Sequence, residues 1–379
     1  MKVALVHDYI KEYGGAERVL ETLSELFPEV PIYTTVYLPE FLGPHQDRVK
    51  NWKVIPSFLQ KVPFKEKLIS PFRLIAPLVF DNLDLSEFDV VIVSATGAYN
   101  PNLIVTKPET LHLCYCHTPP RYLYGLPTAR DWKKHWWGRM AGELANHFLR
   151  QIDFLSAQRV DYFIANSVNT ANRIKKFYRK DATVIYPPVD LAARDKKTSP
   201  LPLAPCPYFL IGGRLARPKH IDLAVEACTK LNLPLKVFGR MFADYGEELK
   251  KLAGPTIEFL GEVDEKQKAE LYTGCKAFIF PAEEEDFGIM PVEAMSFGRP
   301  VIALRQGGVL ETVIEGKTGI FFDEPTVESL IKAIEQFNNL TINSQNCIRQ
   351  AEKFSKERFK TEITSFIRCH LAIGRKVTP

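Results

Sequence analysis

The chain has 379 residues, which is long for a single core and suits two domains of roughly 150 to 190 residues each. With 46% hydrophobic residues, 25% charged residues and a formal net charge of +4, the composition excludes a disordered chain and a bulk nucleic-acid binder, and leaves any basic function to local clusters. Seven cysteines, at 114, 116, 206, 228, 275, 347 and 369, are odd in number and scattered through mostly apolar stretches, so reduced thiols and a reducing cytoplasm are expected rather than a disulfide framework. Cys114 and Cys116 lie two apart, but no second pair at ligand spacing completes a zinc site, and no metal is expected.

Taken in chain order, the sequence opens on a strand-like run, Lys2 to His7, with no charged leader or apolar signal core. No apolar stretch approaches the roughly 18 to 20 residues that span a bilayer. A helix is predicted over 16–26, strands near 31–36, 89–94 and 111–116, then Asp161 to Ala165 as a strand, Ser167 as an N-cap and a helix to about 178. A short strand at 183–185 ends at Pro187-Pro188. This alternation is the βαβ rhythm of a parallel sheet. Residues 187–207 hold six prolines and little apolar periodicity and read as a linker. The rhythm restarts with a strand at 208–213, a helix at 221–231 and strands at 234–238, 256–260, 276–280, 300–304 and 318–322, with Asp264 and Gln267 forming a capping box for a helix to about 272. Two helices follow, at about 325–337 and 343–371, the second one interrupted.

In open α/β sheets ligands sit beyond the carboxyl ends of the strands, beside helix N-termini. Three such junctions stand out. After the first strand, Gly14 and Gly15 precede a helix, where backbone can approach a phosphate, although G-x-G-x-x-G is absent and a plain tight turn has the same pattern. At the mouth of the second unit's first strand, Gly212-Gly213-Arg214 with Lys219 offers a guanidinium fork and a compact ammonium suited to a diphosphate; a solvated basic turn is the alternative. After the strand at 276–280, four successive carboxylates, Glu283 to Asp286, lead through Phe287 and Gly288 into a helix containing Glu293.

Glu285 and Glu293 are spaced E-x7-E, and this spacing, with Phe287-Gly288 inside it, resembles the signature of the large family-4 (group 1) glycosyltransferases of the GT-B fold. The resemblance runs along most of the chain, through Gly14-Gly15-Ala16-Glu17, Gly213-Arg214-Leu215 with Lys219, Phe259 to Val263, the E-x7-E block and Gly307 to Glu311. It implies an α/β architecture of two Rossmann-like doubly wound domains facing a central cleft: an acceptor domain at 1–188, a linker at 189–207, a nucleotide-sugar domain at 208–350 and a C-terminal helix at 351–379 that crosses back to the first domain. It further implies that Arg214 and Lys219 bind the donor diphosphate, that Glu293 holds the ribose, that Glu285 bonds the donor sugar, and that the backbone around Gly288, Ile289 and Met290, with Phe287 beside it, faces sugar and phosphate. Val263 matches a position near the nucleobase. Gly14 and Gly15 match a phosphate contact across the cleft, and His117 matches the histidine near the anomeric centre. Two positions depart from the pattern: Asp286 and His220 replace glycines.

By the same resemblance the reaction is retaining and metal-independent, with a nucleotide-sugar as co-substrate and no further cofactor. The stretch His117 to Tyr124 is similar to bacterial polysaccharide mannosyltransferases, which implies GDP-mannose; a UDP-sugar-dependent transferase is the alternative, and a sugar-nucleotide epimerase, a phosphorylase or a non-catalytic glycan-binding subunit fits the motif set less well. Residues 48–67 interleave Arg48, Lys50, Lys53, Lys61, Lys65 and Lys67 with Trp52, Phe58 and Phe64, and residues 131–139 are likewise basic and aromatic. These segments raise the expectation of peripheral contact with an anionic leaflet, on the inner face of the cell membrane, and of a polyprenyl-diphosphate-linked glycan acceptor; a solvated face with a few core aromatics is the other reading.

Overall fold

A computed structural model of the chain describes residues 1–128, 136–191, 207–241 and 244–377. Two compact units emerge, one from Met1–Leu126, Arg130–Pro188 and Glu357–Pro379, the other from Pro127–Ala129 and Val189–Lys356. Most of the linker segment and residues 131–135 of the basic-aromatic stretch lie outside the described residues.

The first unit runs β1 (Val3–His7), α1 (Gly15–Leu26), β2 (Pro31–Thr34), β3 (Lys53–Pro56), α2 (Ala76–Asp81), β4 (Val90–Ala95), β5 (Leu111–Cys116), α3 (Trp136–Gln158), β6 (Tyr162–Ala165), α4 (Val168–Tyr178) and β7 (Ala182–Val184). Its seven strands form one sheet in the order β3-β2-β1-β4-β5-β6-β7, parallel at every pairing. Alternate residues of a strand face opposite sides, and the core divides accordingly. Ala4, Val6, Val91, Val93, Cys114 and Cys116 belong to one apolar cluster, while Leu5, Ile92, Leu113 and Tyr115 belong to another. A sheet covered on both faces has no polar side for its strands to show, which is why β4 and β5 are continuously buried.

The second unit runs β8 (Tyr208–Gly212), α5 (Ile221–Lys230), β9 (Leu235–Phe238), α6 (Tyr245–Leu252), β10 (Ile257–Gly261), α7 (Glu265–Gly274), β11 (Cys275–Phe280), α8 (Ile289–Ser296), β12 (Val301–Leu304), α9 (Val309–Thr312), β13 (Gly319–Phe322), α10 (Val327–Asn338) and α11 (Ser344–Glu352). Its sheet order is β10-β9-β8-β11-β12-β13. The Asp264–Gln267 capping box forms as its spacing predicts, with the Gln267 N–H donating to Asp264 Oδ1 at 2.8 Å and the Asp264 N–H to Gln267 Oε1 at 3.1 Å.

The last helix, α12 (Lys356–Val377), lays Phe359, Ile363 and Ile367 on the face of the first sheet with Leu5 and Ile92. Those positions recur every four residues, the spacing of one helical face. The predicted interruption lies between α11 and α12, where the Val189 N–H donates to the Phe354 carbonyl at 2.9 Å.

The two sheets share one topological consequence. In each, strand order reverses between a first strand and its later neighbour, β1 beside β4 and β8 beside β11. Loops leaving such a pair diverge to opposite faces, so the carboxyl ends of these strands are where a doubly wound sheet opens a crevice.

Candidate active site

In the second unit the reversal lies between β8 and β11, and the sequence motifs meet there. β8 ends at Gly212 and Gly213, and Gly213 has φ +109, a conformation reserved for glycine in practice. A Cβ at Gly239, after β9, would lie 1.8 Å from the Gly213 carbonyl oxygen. The turn carrying Arg214 therefore packs directly on neighbouring backbone. Arg214 itself is exposed.

Lys219, in the following turn, forms an ion pair with Glu285, while its Nζ stands 5.7 Å from the centre of the Phe280 ring at the end of β11. The acidic run is thus not a solvated face. Its backbone is fixed twice, by the Glu283 N–H donating to the Pro218 carbonyl at 3.0 Å and by the Gly308 N–H donating to the Glu285 carbonyl at 2.8 Å. Gly307 and Gly308 are there because nothing larger fits: a Cβ at Gly307 would sit 2.4 Å from Glu285 O, and one at Gly308 would sit 2.2 Å from Asp286 O. His220 replaces a glycine of the family pattern, yet keeps the left-handed backbone, with φ +48, and its ring Nε2 lies 3.2 Å from a Glu283 carboxylate oxygen.

Gly288, at φ +85, caps α8. Ile289 and Met290 open the helix, where N–H groups have no intrahelical acceptor. Glu293 is buried on α8 and held by two residues of α7: Lys268 Nζ donates to Oε1 at 3.1 Å and the Tyr272 hydroxyl donates to Oε2 at 3.0 Å. No sequence pattern marks Lys268 and Tyr272, because their partnership with Glu293 exists only in the folded helix pair. The Phe287 side chain is buried with its ring edge-on to Phe354, centroids 5.5 Å apart, so any ligand contact from this residue comes from its backbone. Val263, half-buried, directly precedes the Asp264 cap of α7.

In the first unit the reversal lies between β1 and β4, whose register sets His7 beside Ser94. His117 follows β5; its N–H donates to the Ala95 carbonyl at 2.9 Å, and its carbonyl accepts from Asn166 Nδ2 at 2.8 Å. The ring Nε2 lies 2.9 Å from Ser94 Oγ. Burial, with a smaller push from His7, lowers the His117 pKa to about 3, so the ring is neutral at pH 7. Gly14 precedes α1, and its N–H donates to Glu17 Oε2 at 2.8 Å; Gly15 is the first residue of that helix. Asp8, fully buried at the end of β1, accepts from the Thr96 and Tyr99 N–H groups at 2.6 and 2.8 Å.

Two of the side chains read from sequence as interfacial prove to be structural. Arg48 donates two hydrogen bonds to Glu21, each 2.9 Å, and its guanidinium lies over Tyr13. Trp52 packs against the core on the β1 face. Phe58 and Phe64, by contrast, are 61% and 70% exposed. Among the described residues no helix is long and apolar enough to cross a membrane, and none of their His, Cys, Asp and Glu side chains form a cluster that could hold a metal ion.

Comparison with known proteins extends this picture along the chain. Residues 13–193 match the family described as Glycosyltransferase Family 4, and residues 195–354 match Glycosyl transferases group 1. The alpha-1,3/1,6-mannosyltransferase ALG2 of Mus musculus is 27% identical, the alignment covering 93% of each chain; ALG2 of Homo sapiens is 28% identical over 74% of this chain and 73% of that one. Among solved structures, sucrose-phosphate synthase from Thermosynechococcus elongatus superposes with a TM-score of 0.74 at 18% identity, covering 98% of this chain and all of the other. Alr3699/HepE of Anabaena gives 0.68 at 17%, over 97% and 100%; at such identities the likeness establishes the fold, the two-sheet GT-B pattern. With the two family matches running almost without a break from residue 13 to residue 354, the chain belongs to the family-4, group 1 glycosyltransferases.

Proposed function

We propose that the chain is a retaining, metal-independent mannosyltransferase that moves mannose from GDP-mannose to a polyprenyl-diphosphate-linked glycan. The observation that carries this reading is the arrangement at the β8–β11 reversal: Lys219 paired with Glu285 beside the Arg214 turn, the glycine-capped start of α8, and Glu293 held rigid by Lys268 and Tyr272. Cations and helix N–H groups gathered at one strand reversal suit a diphosphate leaving group. The mannosyl assignment draws on the ALG2 relatives, which are named as mannosyltransferases.

In this mechanism Arg214, Lys219 and the N–H groups at the start of α8 bind the diphosphate and stabilise the negative charge that grows on it as the glycosidic bond breaks. Glu293 takes the ribose hydroxyls, and the backbone at Val263 meets the base. Glu285 and His117 orient the sugar, and the acceptor hydroxyl enters on the face the diphosphate leaves, through an oxocarbenium-like state. Glu285 does not attack the sugar; trapping of a glycosyl-Glu285 adduct would contradict this assignment. With two cations supplying the charge, no divalent ion is required.

Contact with the inner face of the cell membrane draws support from exposed apolar side chains beside lysines, Phe58 and Phe64 near Lys61 and Lys67, and from Met140, Leu144, Phe148 and Leu155 along α3. Co-flotation with anionic liposomes at low salt, lost at high salt, is the expected result.

The deciding experiment is a thermal-shift screen of the purified chain against GDP, UDP, GDP-mannose, UDP-glucose and UDP-N-acetylglucosamine, with and without EDTA. A ligand that binds only the native state raises the melting temperature. A selective, EDTA-insensitive response to GDP and GDP-mannose is expected. A UDP-selective response replaces the donor, and no response to any nucleotide removes the donor-site assignment.

A further inference from the structure

We propose that Glu17, His7 and Ser94 are positioning residues for His117, forming a buried proton-ordered chain that holds its ring as the Nε2–H tautomer and leaves Nδ1 as a hydrogen-bond acceptor for a hydroxyl of the donor sugar. The functional half of this inference rests on the role given to His117 above; the ordering of the chain does not.

Two hydrogen-bond contacts and one longer ion-pair contact link the four groups. His117 Nε2 lies 2.9 Å from Ser94 Oγ, and Ser94 Oγ lies 3.1 Å from His7 Nδ1. His7 Nε2 lies 3.6 Å from Glu17 Oε1, and the second oxygen of Glu17 accepts the Gly14 N–H at 2.8 Å. His7 and Ser94 are fully buried, Glu17 and His117 nearly so. Adjacent strand ends create the arrangement, since β1 and β4 pair in register at His7 and Ser94 and His117 follows the next strand. The capping glutamate of α1 is thereby shared between the glycine turn and the histidine chain.

Proton counting gives the chain its direction. The Ser94 hydroxyl has one proton and stands between two ring nitrogens, so it donates to one ring and accepts from the other. With both rings neutral, only two orderings exist. If the protons point away from Glu17, the lone pair of His7 Nε2 faces a carboxylate in a site closed to water, where an unfavourable electrostatic contact is not screened. If they point toward Glu17, His7 Nε2–H faces the carboxylate, Ser94 donates to His7 Nδ1, and His117 donates through Nε2–H to Ser94. Glu17 therefore selects the tautomer of a ring three groups away, just as the partner of one ring nitrogen generally sets the role of the other. The depressed basicity of His117 is in keeping with a ring that acts as a neutral acceptor.

The test reads tautomers directly. In protein labelled with 15N-histidine, long-range proton–nitrogen correlation spectra, with His117→Gln to assign the signal, are expected to show His117 as the Nε2–H form. Glu17→Gln and Ser94→Ala are expected to convert it to a mixture. In parallel, nucleoside diphosphate release from GDP-mannose is expected to show Ser94→Ala lowering kcat about tenfold, the scale of one lost orienting hydrogen bond. KM should move less than about twofold, and the variant should cost nothing further in a His117→Gln background. An Nδ1–H tautomer in the native protein, which a doubly protonated His7 would impose, overturns the ordering, as does a tautomer indifferent to Glu17→Gln. Full activity of His117→Gln with the expected tautomer pattern overturns the reading of His117, and the functional half with it, while the ordered chain stands.

Discussion

The ion pair between Lys219 and Glu285 joins the residue assigned to the diphosphate with the one assigned to the sugar. Removing either changes the other, so single substitutions there should be read as losses of a unit. Lys219→Ala is expected to lower kcat on the order of 100- to 1,000-fold, the usual cost of one transition-state charge partner, and to shrink the GDP-induced rise in melting temperature. Initial rates and thermal shifts together check it, and an unchanged thermal shift would detach Lys219 from the diphosphate. Gly307→Ala should be as damaging without removing any polar group, because the new methyl meets Glu285 O at 2.4 Å and the backbone has φ +73. The expected signature is a kcat loss with reduced stability and an intact nucleotide-binding Lys219. Much of this candidate site was legible in the sequence, since Arg214, Lys219 and Glu285 stand at strand-to-helix junctions and Glu293 in the helix that follows one, where position along the chain already implies position in the fold. The supports were not: Lys268, Tyr272, Ser94 and His7 meet their partners across elements, and no spacing in the chain encodes such contacts.

Elements with a clean apolar period were readable, and those without one were not. β1, β4, β5, β8 and β11 are short, apolar runs and fall where the sequence predicts them. β3, Lys53–Pro56, shows an alternation of half-buried and exposed positions typical of a sheet edge, and its flanking lysines made the region resemble a surface patch; Trp52 and Arg48 are core and ion-pair residues in consequence. α3 was obscured for the opposite reason, as its exposed Met140, Leu144, Phe148 and Leu155 blur the difference between a core face and a solvent face. α12 is the element whose packing matters most to the first unit. Phe359 is fully buried and edge-on to Tyr115, centroids 5.8 Å apart. Phe359→Ala is therefore expected to destabilise the first unit by about 3–5 kcal/mol, the range for a buried aromatic truncated to alanine, while leaving GDP affinity at the second unit near native. Urea unfolding followed alongside nucleotide titration checks both halves, and a large loss of affinity at intact folding would place α12 in the donor site.

At the scale of the whole molecule, buried titratable groups set how stability changes with pH. Asp153 is buried in the first unit, bonded by Asn100 Nδ2 at 3.0 Å and the Tyr124 hydroxyl at 2.8 Å, and burial raises its pKa to about 7. Between about pH 4 and 7 the folded state keeps a proton there that the unfolded chain has lost, so this group makes stability fall as pH rises. His112, with burial lowering its pKa to about 4, works in the other direction: between about 4 and the ordinary histidine value near 6.5 the unfolded chain holds the extra proton, and stability rises with pH. His117 adds a second contribution of that sign. The two trends oppose each other through the mildly acidic range, and Asp153→Asn should expose the histidine trend alone. The asparagine still accepts one hydrogen bond and can donate to a tyrosine oxygen, so the cluster keeps its shape while losing its proton exchange. Urea midpoints measured in steps from pH 4 to 8 are expected to show the variant gaining on the native protein by up to about 1.4 kcal/mol per pH unit as pH rises, with the difference levelling above about 7. A difference constant across that range would mean that Asp153 exchanges no proton on folding, and that the buried cluster is held by the ionised carboxylate from acid to neutral pH.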